Sequence, residues 1–331
     1  MDVAVTAGPH TWSGLALPAG ARQEPDVVVI GVPFEGGAGG AGGASLGPAR
    51  VRELTPRLKT IDRHGRDASA VRLRDLGDLP TWRFDLPRTI AQLAEVYQQV
   101  FREVTVPVLT YGGDHSVTYP IVAAAGTGRR LGLVWFDAHP DVLDGYQGSG
   151  ISHGSPLRRI IEDGAVAPEN VLLVGTRAYD EGETDFIDKH GIREVRAAHF
   201  ADDPRAARES YRRHLADIAE RVGHFYVSLD IDVLDASCVP GTGTPVAGGI
   251  TTGELLGLLE ELPEPVLGYD IVEFAPAHDV GGMTGHAVMS VTTTYLARIA
   301  ARTRGPVPAA SPGEHPVPHP HRLPEESPWT S

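Results

Sequence analysis

Six short apolar runs, each closed by glycine, proline or aspartate, constrain this chain more than any other feature. They are Val27–Val32, Val106–Tyr111, Leu131–Phe136, Val171–Gly175, Phe225–Leu229 and Val266–Ile271. Runs of this length that are rich in Val, Leu and Ile throughout read as strands buried on both faces. Helical patterns lie between them, over Pro87–Val104, Asp203–Val222, Gly253–Leu262 and Thr292–Ala301. In the first of these, Ile90, Leu93, Val96, Tyr97 and Val100 recur at helical spacing behind a first-turn proline. This alternation predicts a single α/β domain with a mostly parallel sheet and helices on both faces. The boundaries expected are an extension over residues 1–24, the domain over 25–304, and a tail over 305–331. The tail holds eight prolines and few core-forming residues, which predicts disorder.

Composition removes several classes of function. With 29 Lys and Arg against 43 Asp and Glu, the chain carries a formal charge of −14. That balance argues against nucleic acid or an anionic membrane as partner and suits a small cationic ligand. The lone Cys238 leaves no internal disulfide and no thiolate zinc cluster. No apolar run is long enough to span a bilayer, and no basic residue precedes Arg22. A cytoplasmic location is the expectation. Gly37-Ala38-Gly39-Gly40-Ala41-Gly42 formally matches a dinucleotide fingerprint. In that fingerprint, however, the first glycine closes the strand and the last enters the helix. Here the strand ends near Val32 and the next helix starts around Pro48, so a mobile glycine loop is the better reading.

Three clusters of chemically capable residues follow predicted strands. These are Gly112-Gly113-Asp114-His115-Ser116, Asp137-Ala138-His139-Pro140-Asp141 and Asp230-Ile231-Asp232. Open α/β sheets bind ligands beyond the carboxyl ends of their strands. Extended backbone would put Asp137, His139 and Asp141 on one face, and Asp230 and Asp232 likewise. Four carboxylates crowded together oppose folding unless cations neutralise them, and two divalent ions balance the charge. An oxygen-rich set with imidazole and without thiolate suits Mn²⁺ or a near relative.

With these blocks in view, the chain resembles the ureohydrolases, the arginase and agmatinase family, and is most similar to its agmatinase and guanidino-acid branch. The resemblance also rests on Ser152-His153-Gly154-Ser155-Pro156, Pro240-Gly241-Thr242-Gly243-Thr244-Pro245 and Asp270-Ile271-Val272-Glu273. It implies an arginase-like three-layer sandwich and two Mn²⁺ per subunit. His115, Asp137, Asp141 and Asp230 would hold one ion; His139, Asp137, Asp230 and Asp232 would hold the other. It further implies attack of a metal-bridging hydroxide on a guanidino carbon, releasing urea and an amine. Asp141 would take the proton, His153 would shuttle it, and Glu273 would pair with the guanidinium. A homo-oligomer, trimer or hexamer, is implied as well.

Agmatine or a guanidino acid is the expected substrate class. Arginase and formimidoyl-substrate hydrolase are alternatives in the same family, and a non-catalytic metal-binding subunit is one outside it. A guanidino acid calls for a cationic or hydroxyl partner, for which Arg177 and Ser149 are candidates by position. The chain departs from the family pattern at Ala236, where proline is usual, and in Ala41–Arg50, which lacks the arginines of an agmatinase pocket mouth.

Overall fold

The six predicted strands all form, and two more join them. In chain order they are β1 (Val27–Gly31), β2 (Leu73–Asp78), β3 (Val108–Tyr111), β4 (Leu131–Phe136), β5 (Val171–Val174), β6 (Arg193–Val195), β7 (His224–Asp230) and β8 (Val266–Val272). The computed structural model describes residues 11–146 and 148–304; the proline-rich tail expected over 305–331 lies outside them. All strand pairings are parallel, in one sheet of order β2-β1-β3-β8-β7-β4-β5-β6.

Helices α1 (Gly47–Leu54), α2 (Leu86–Glu103), α3 (Thr118–Gly126), α4 (Pro156–Glu162), α5 (Glu183–His190), α6 (Ala197–Asp202), α7 (Pro204–Ala219), α8 (Thr252–Glu260) and α9 (Met283–Arg304) complete the fold. Strand side chains alternate between two cores. Val27, Val134, Phe136, Val227 and Tyr269 face residues of α1, α7, α8 and α9. Val28, Leu133, Trp135 and Tyr226 face residues of α2, α3, α4 and α5. The result is a three-layer sandwich, as expected. Caps set several helix starts. Asp85 accepts from the Arg88 N–H, Asp203 from those of Arg205 and Ala206, and Thr251 and Glu254 form a reciprocal capping box.

The two strands not anticipated are the two edges of the sheet. Leu73-Arg74-Asp75-Leu76-Gly77-Asp78 and Arg193-Glu194-Val195 carry charges and are only partly covered. An edge strand has no need of a continuous apolar run, so that signal is missing. β2 is also covered by part of the segment read as an extension. Ala16 bridges to Leu73, and Trp12 is fully buried, stacked on Tyr111 at 5.8 Å. Its indole N–H donates to Asp75 Oδ2 at 2.9 Å, and that carboxylate also takes a bidentate pair from Arg52. No helix of the described residues is long and apolar enough to cross a membrane.

Trp12 therefore belongs to the core. Trp12→Ala should cost about 3–5 kcal/mol, read as a lower urea midpoint; an unchanged midpoint would show that residues 11–17 are dispensable to the fold.

Candidate metal centre

Strand order is what gathers the candidate residues. β3, β8, β7 and β4 are contiguous in the sheet, so the loops at their carboxyl ends share one crevice. After β3, Gly113 passes so close to Phe34 that a Cβ would sit 1.6 Å from its carbonyl oxygen. Asp114 then caps a single turn at the Ser116 N–H, presenting His115. After β4, Asp137 Oδ1 accepts from the His139 N–H at 2.7 Å, and Oδ2 accepts from the Trp135 indole at 3.1 Å. After β7, Asp230 Oδ1 accepts from the Asp232 N–H at 2.8 Å and opens a turn over Ile231–Val233.

The groups meet, but not by strand alternation as expected. The backbone from Asp137 onward turns, with side-chain caps on its own N–H groups. Asp141 sits in the left-handed region at φ 55°, as does Glu273 after β8 at φ 60°. Backbone strain of this kind in non-glycine residues collects at functional sites.

His115 Nδ1 lies 3.0 Å from Asp137 Oδ2, 3.0 Å from Asp141 Oδ2 and 3.4 Å from Asp230 Oδ2. His139 Nδ1 lies 3.3 Å from Asp137 Oδ1 and 3.2 Å from Asp232 Oδ2. Asp137 thus faces both imidazoles with different oxygens. Two groups of donors lie close enough to share an ion: His115 with Asp137 and Asp141, and Asp137 with His139 and Asp232. Asp230 stands beside the first group through its contact with His115. His153 Nδ1 is 4.0 Å from Glu273 Oε1, and that oxygen accepts the His115 N–H at 2.9 Å. His115, His139, Asp141, His153, Asp230 and Glu273 line one crevice, and Asp137 and Asp232 are buried against its imidazoles.

One atom tests whether a cation fits. His115 Nδ1 is fully buried and makes no hydrogen bond, although carboxylate oxygens surround it. The other ring nitrogen is spoken for: Nε2 lies 2.8 Å from Ser228 Oγ, which donates to Asp270 Oδ1 at 2.6 Å. Asp270 is held by Tyr226 and Thr118 in turn. A chain donating away from Nε2 leaves Nδ1 as the ring atom that can give its lone pair to a cation held among the carboxylates. This is the outer-shell arrangement of a metal-binding histidine.

Charge points the same way. Burial, then the charges of Asp232 and Asp137, holds the Asp230 carboxyl well above the ordinary range. Burial and the charge of Asp137 push Asp141 up to about 8. Burial opposes a positive ring on His139, yet Asp137 and Asp232 raise it to about 12. Without a cation the cluster holds protons; with one it can release them.

The cleft above the centre encloses about 190 Å³. Its outer wall includes residues that sequence reasoning missed: Tyr146, Asp180, Glu183, and the bare backbone of Gly39 and Gly40. Asp180 and Glu183 follow β5, with no second histidine or aspartate motif to mark them. Burial pushes Glu183 up to about 7. Arg177 is not among the cleft-lining residues, and its two terminal nitrogens are spent on the carbonyls of Gly175, Asp232, Val233, Leu234 and Val246. Ser149 is exposed and bonds to the Ile151 carbonyl.

Fold and crevice together define an α/β enzyme built around a carboxylate–imidazole centre at the carboxyl ends of a parallel sheet. The profile of the arginase family matches residues 25–297, and the chain belongs to that family. It is 38% identical to the guanidinopropionase of Pseudomonas aeruginosa, over 84% of this chain and 88% of that one. It is 33% identical to the mitochondrial agmatinase of Gallus gallus, over 82% and 81%. The solved structure of proclavaminate amidinohydrolase from Streptomyces clavuligerus superposes with a TM-score of 0.74 at 31% identity, covering 84% of this chain and 93% of that one. The chain is accordingly a hydrolase of the amidine-cleaving, ureohydrolase kind.

The raised carboxyls fix a pH dependence. An acid lifted from 3.8 to about 8 by folding keeps a proton in the native state that the unfolded chain has lost, so its stabilisation is full at low pH and fades as pH rises through about 8. The raised histidines act in the same direction. Chelator-treated protein should lose melting temperature from about pH 5 to pH 8, and a divalent cation should restore most at the upper end. A flat profile with no response to cation would contradict the cluster described.

Proposed function

We propose that the protein is a binuclear manganese amidinohydrolase, cleaving a small guanidino compound to urea and an amine. The observation that carries this reading is the buried, unbonded His115 Nδ1 facing Asp137, Asp141 and Asp230. His115, Asp137, Asp141 and Asp230 would hold one ion, and His139, Asp137, Asp230 and Asp232 the other. The oxygen-rich, thiolate-free set suits Mn²⁺. When bound, paired dications supply Lewis acidity and a hydroxide nucleophile near neutral pH.

The chain's own groups do the rest. Glu273 is buried at the rim of the centre, and burial with the charge of Asp114 holds its carboxyl well above the ordinary range. Such a group gains most from a cationic partner, and the planar guanidinium offers paired N–H donors. Asp141 stands where it can accept the proton of the nucleophile. His153, in the cleft wall and held below the usual imidazole range by burial and the other two rings, is neutral near pH 7. It can carry a proton from water to the departing amine.

The substrate's chain would run toward Tyr146, Asp180 and Glu183. No arginine or lysine lines the cleft among the described residues. Two carboxylates without a cation favour a substrate ending in an amine, such as agmatine. The Tyr146 hydroxyl and the similarity to guanidinopropionase favour a guanidino acid as the second reading.

Urea release from agmatine, arginine, guanidinobutyrate and guanidinopropionate by Mn²⁺-loaded protein tests the proposal. Turnover of agmatine or a guanidino acid is expected; none with any guanidine would overturn it. Asp137→Ala or Asp230→Ala should abolish both metal retention and urea release. His153→Asn should lower kcat by roughly 10²–10⁴-fold with metal content intact.

A further inference from the structure

The glycine segment after β1 has no part in the chemistry above, yet it touches nearly every loop that does. The Gly37 N–H donates to Asp114 Oδ2 at 2.8 Å, fastening the segment to the loop after β3. The Gly37 carbonyl accepts the His153 N–H at 2.9 Å, fastening it to the loop after β4. The Ala41 N–H donates to the Gly243 carbonyl at 3.2 Å, in the loop after β7. The segment is a strap laced across the mouth of the crevice. It opens no helix for a pyrophosphate, since α1 begins only at Gly47.

Three of its glycines are bare for reasons of space. None of Gly37, Gly39 and Gly40 has a left-handed φ, so any residue could adopt their backbone. A Cβ at Gly37 would lie 2.7 Å from Ser116 Oγ, and one at Gly40 would lie 2.7 Å from the Gly243 carbonyl oxygen. A Cβ at Gly39 would lie 2.6 Å from Tyr146 Cε1 and 2.7 Å from His153 Nε2. The difference decides what a methyl group would do. At Gly40 it meets backbone. At Gly39 it meets the tips of two side chains, which can swing, while the strap is pinned on both sides of it and cannot.

We propose that Gly39 is a positioning and specificity residue. Its bare backbone lets the His153 and Tyr146 rings stand side by side at the cleft wall, and so sets the room left for the chain of the substrate. The two rings already touch, edge to face, with centroids 5.7 Å apart. A methyl at 39 displaces them together. The proposal rests on the guanidino-hydrolase reading for its kinetic part, but its steric part stands on the geometry alone.

Gly39→Ala is the test, with Gly42→Ala as its control. A Cβ at Gly42 meets nothing nearer than Glu35 at 3.8 Å, and its φ is also ordinary. Both variants should fold and retain Mn²⁺ like the parent. Crystal structures should show the His153 and Tyr146 rings moved by about 1 Å in Gly39→Ala, the distance needed to restore ordinary contact, and unmoved in Gly42→Ala. Gly39→Ala should lose at least about tenfold in kcat/KM, by a factor that differs between short and long guanidino substrates; a merely structural defect would lower all of them alike. Rings left in place, or an unchanged ratio of kcat/KM across the four guanidines, would overturn the proposal. If the parent releases no urea at all, the guanidino-hydrolase reading fails, and the ring positions still decide the steric claim.

Discussion

Like-charge repulsion among four buried aspartates is the constraint around which this molecule is arranged. Asp137, Asp141, Asp230 and Asp232 come within reach of two imidazoles in a crevice that excludes water from most of them. Nothing in such a cluster is stable by itself. Two of the carboxylates are each fixed by two donors, Asp137 by the His139 N–H and the Trp135 indole, and Asp232 by the Ala138 N–H and the Thr244 hydroxyl, while Asp230 takes the Asp232 N–H. These bonds hold negative charge in place and leave the remaining oxygens for a cation. Buried polar networks of this kind are rigid only when every member is satisfied. His115 Nδ1 is the member that protein atoms leave unsatisfied.

The sheet supplies the rigidity. Strands packed on both faces have a register set by side chains on each side, so their carboxyl ends are fixed relative to one another. Ser228 and Asp270, on adjacent strands β7 and β8, are paired in that register and anchor the far nitrogen of His115. Arg177 gathers five carbonyls around the loop carrying Asp232. Both hold the residues of the centre in place through contacts within the protein, and both turn backbone geometry into side-chain geometry.

How much of this was legible in the sequence follows from where each residue sits. The core strands and the metal-ligand candidates could be read because an apolar run ends and an Asp or His cluster starts at the same point. The edge strands could not, since partial exposure lets Arg74, Asp75 and Glu194 interrupt the pattern. The sequence pattern of α9 is helical only over Thr292–Ala301, because its first turns carry small and polar residues. The far wall of the cleft was invisible for another reason. Tyr146 and Asp180 are single loop residues and Glu183 is the first residue of α5, and only folding gives them a shared cleft. Arg177, a candidate by position, is a backbone clamp, and alternation does not reach Asp141 because the chain leaves the strand and enters a left-handed conformation there.

Strand order carries a consequence for biosynthesis. β3 and β4 follow each other in the chain but stand apart in the sheet, with β8 and β7 filling two places between them. Until residues beyond 224 have emerged from the ribosome, the nascent polypeptide has two half-sheets with raw inner edges and only part of its aspartate set. The crevice is complete only when the final strand pair, β7 and β8, lies between β3 and β4. A truncated translation product ending before β7 would thus expose unpaired β-edges to self-association.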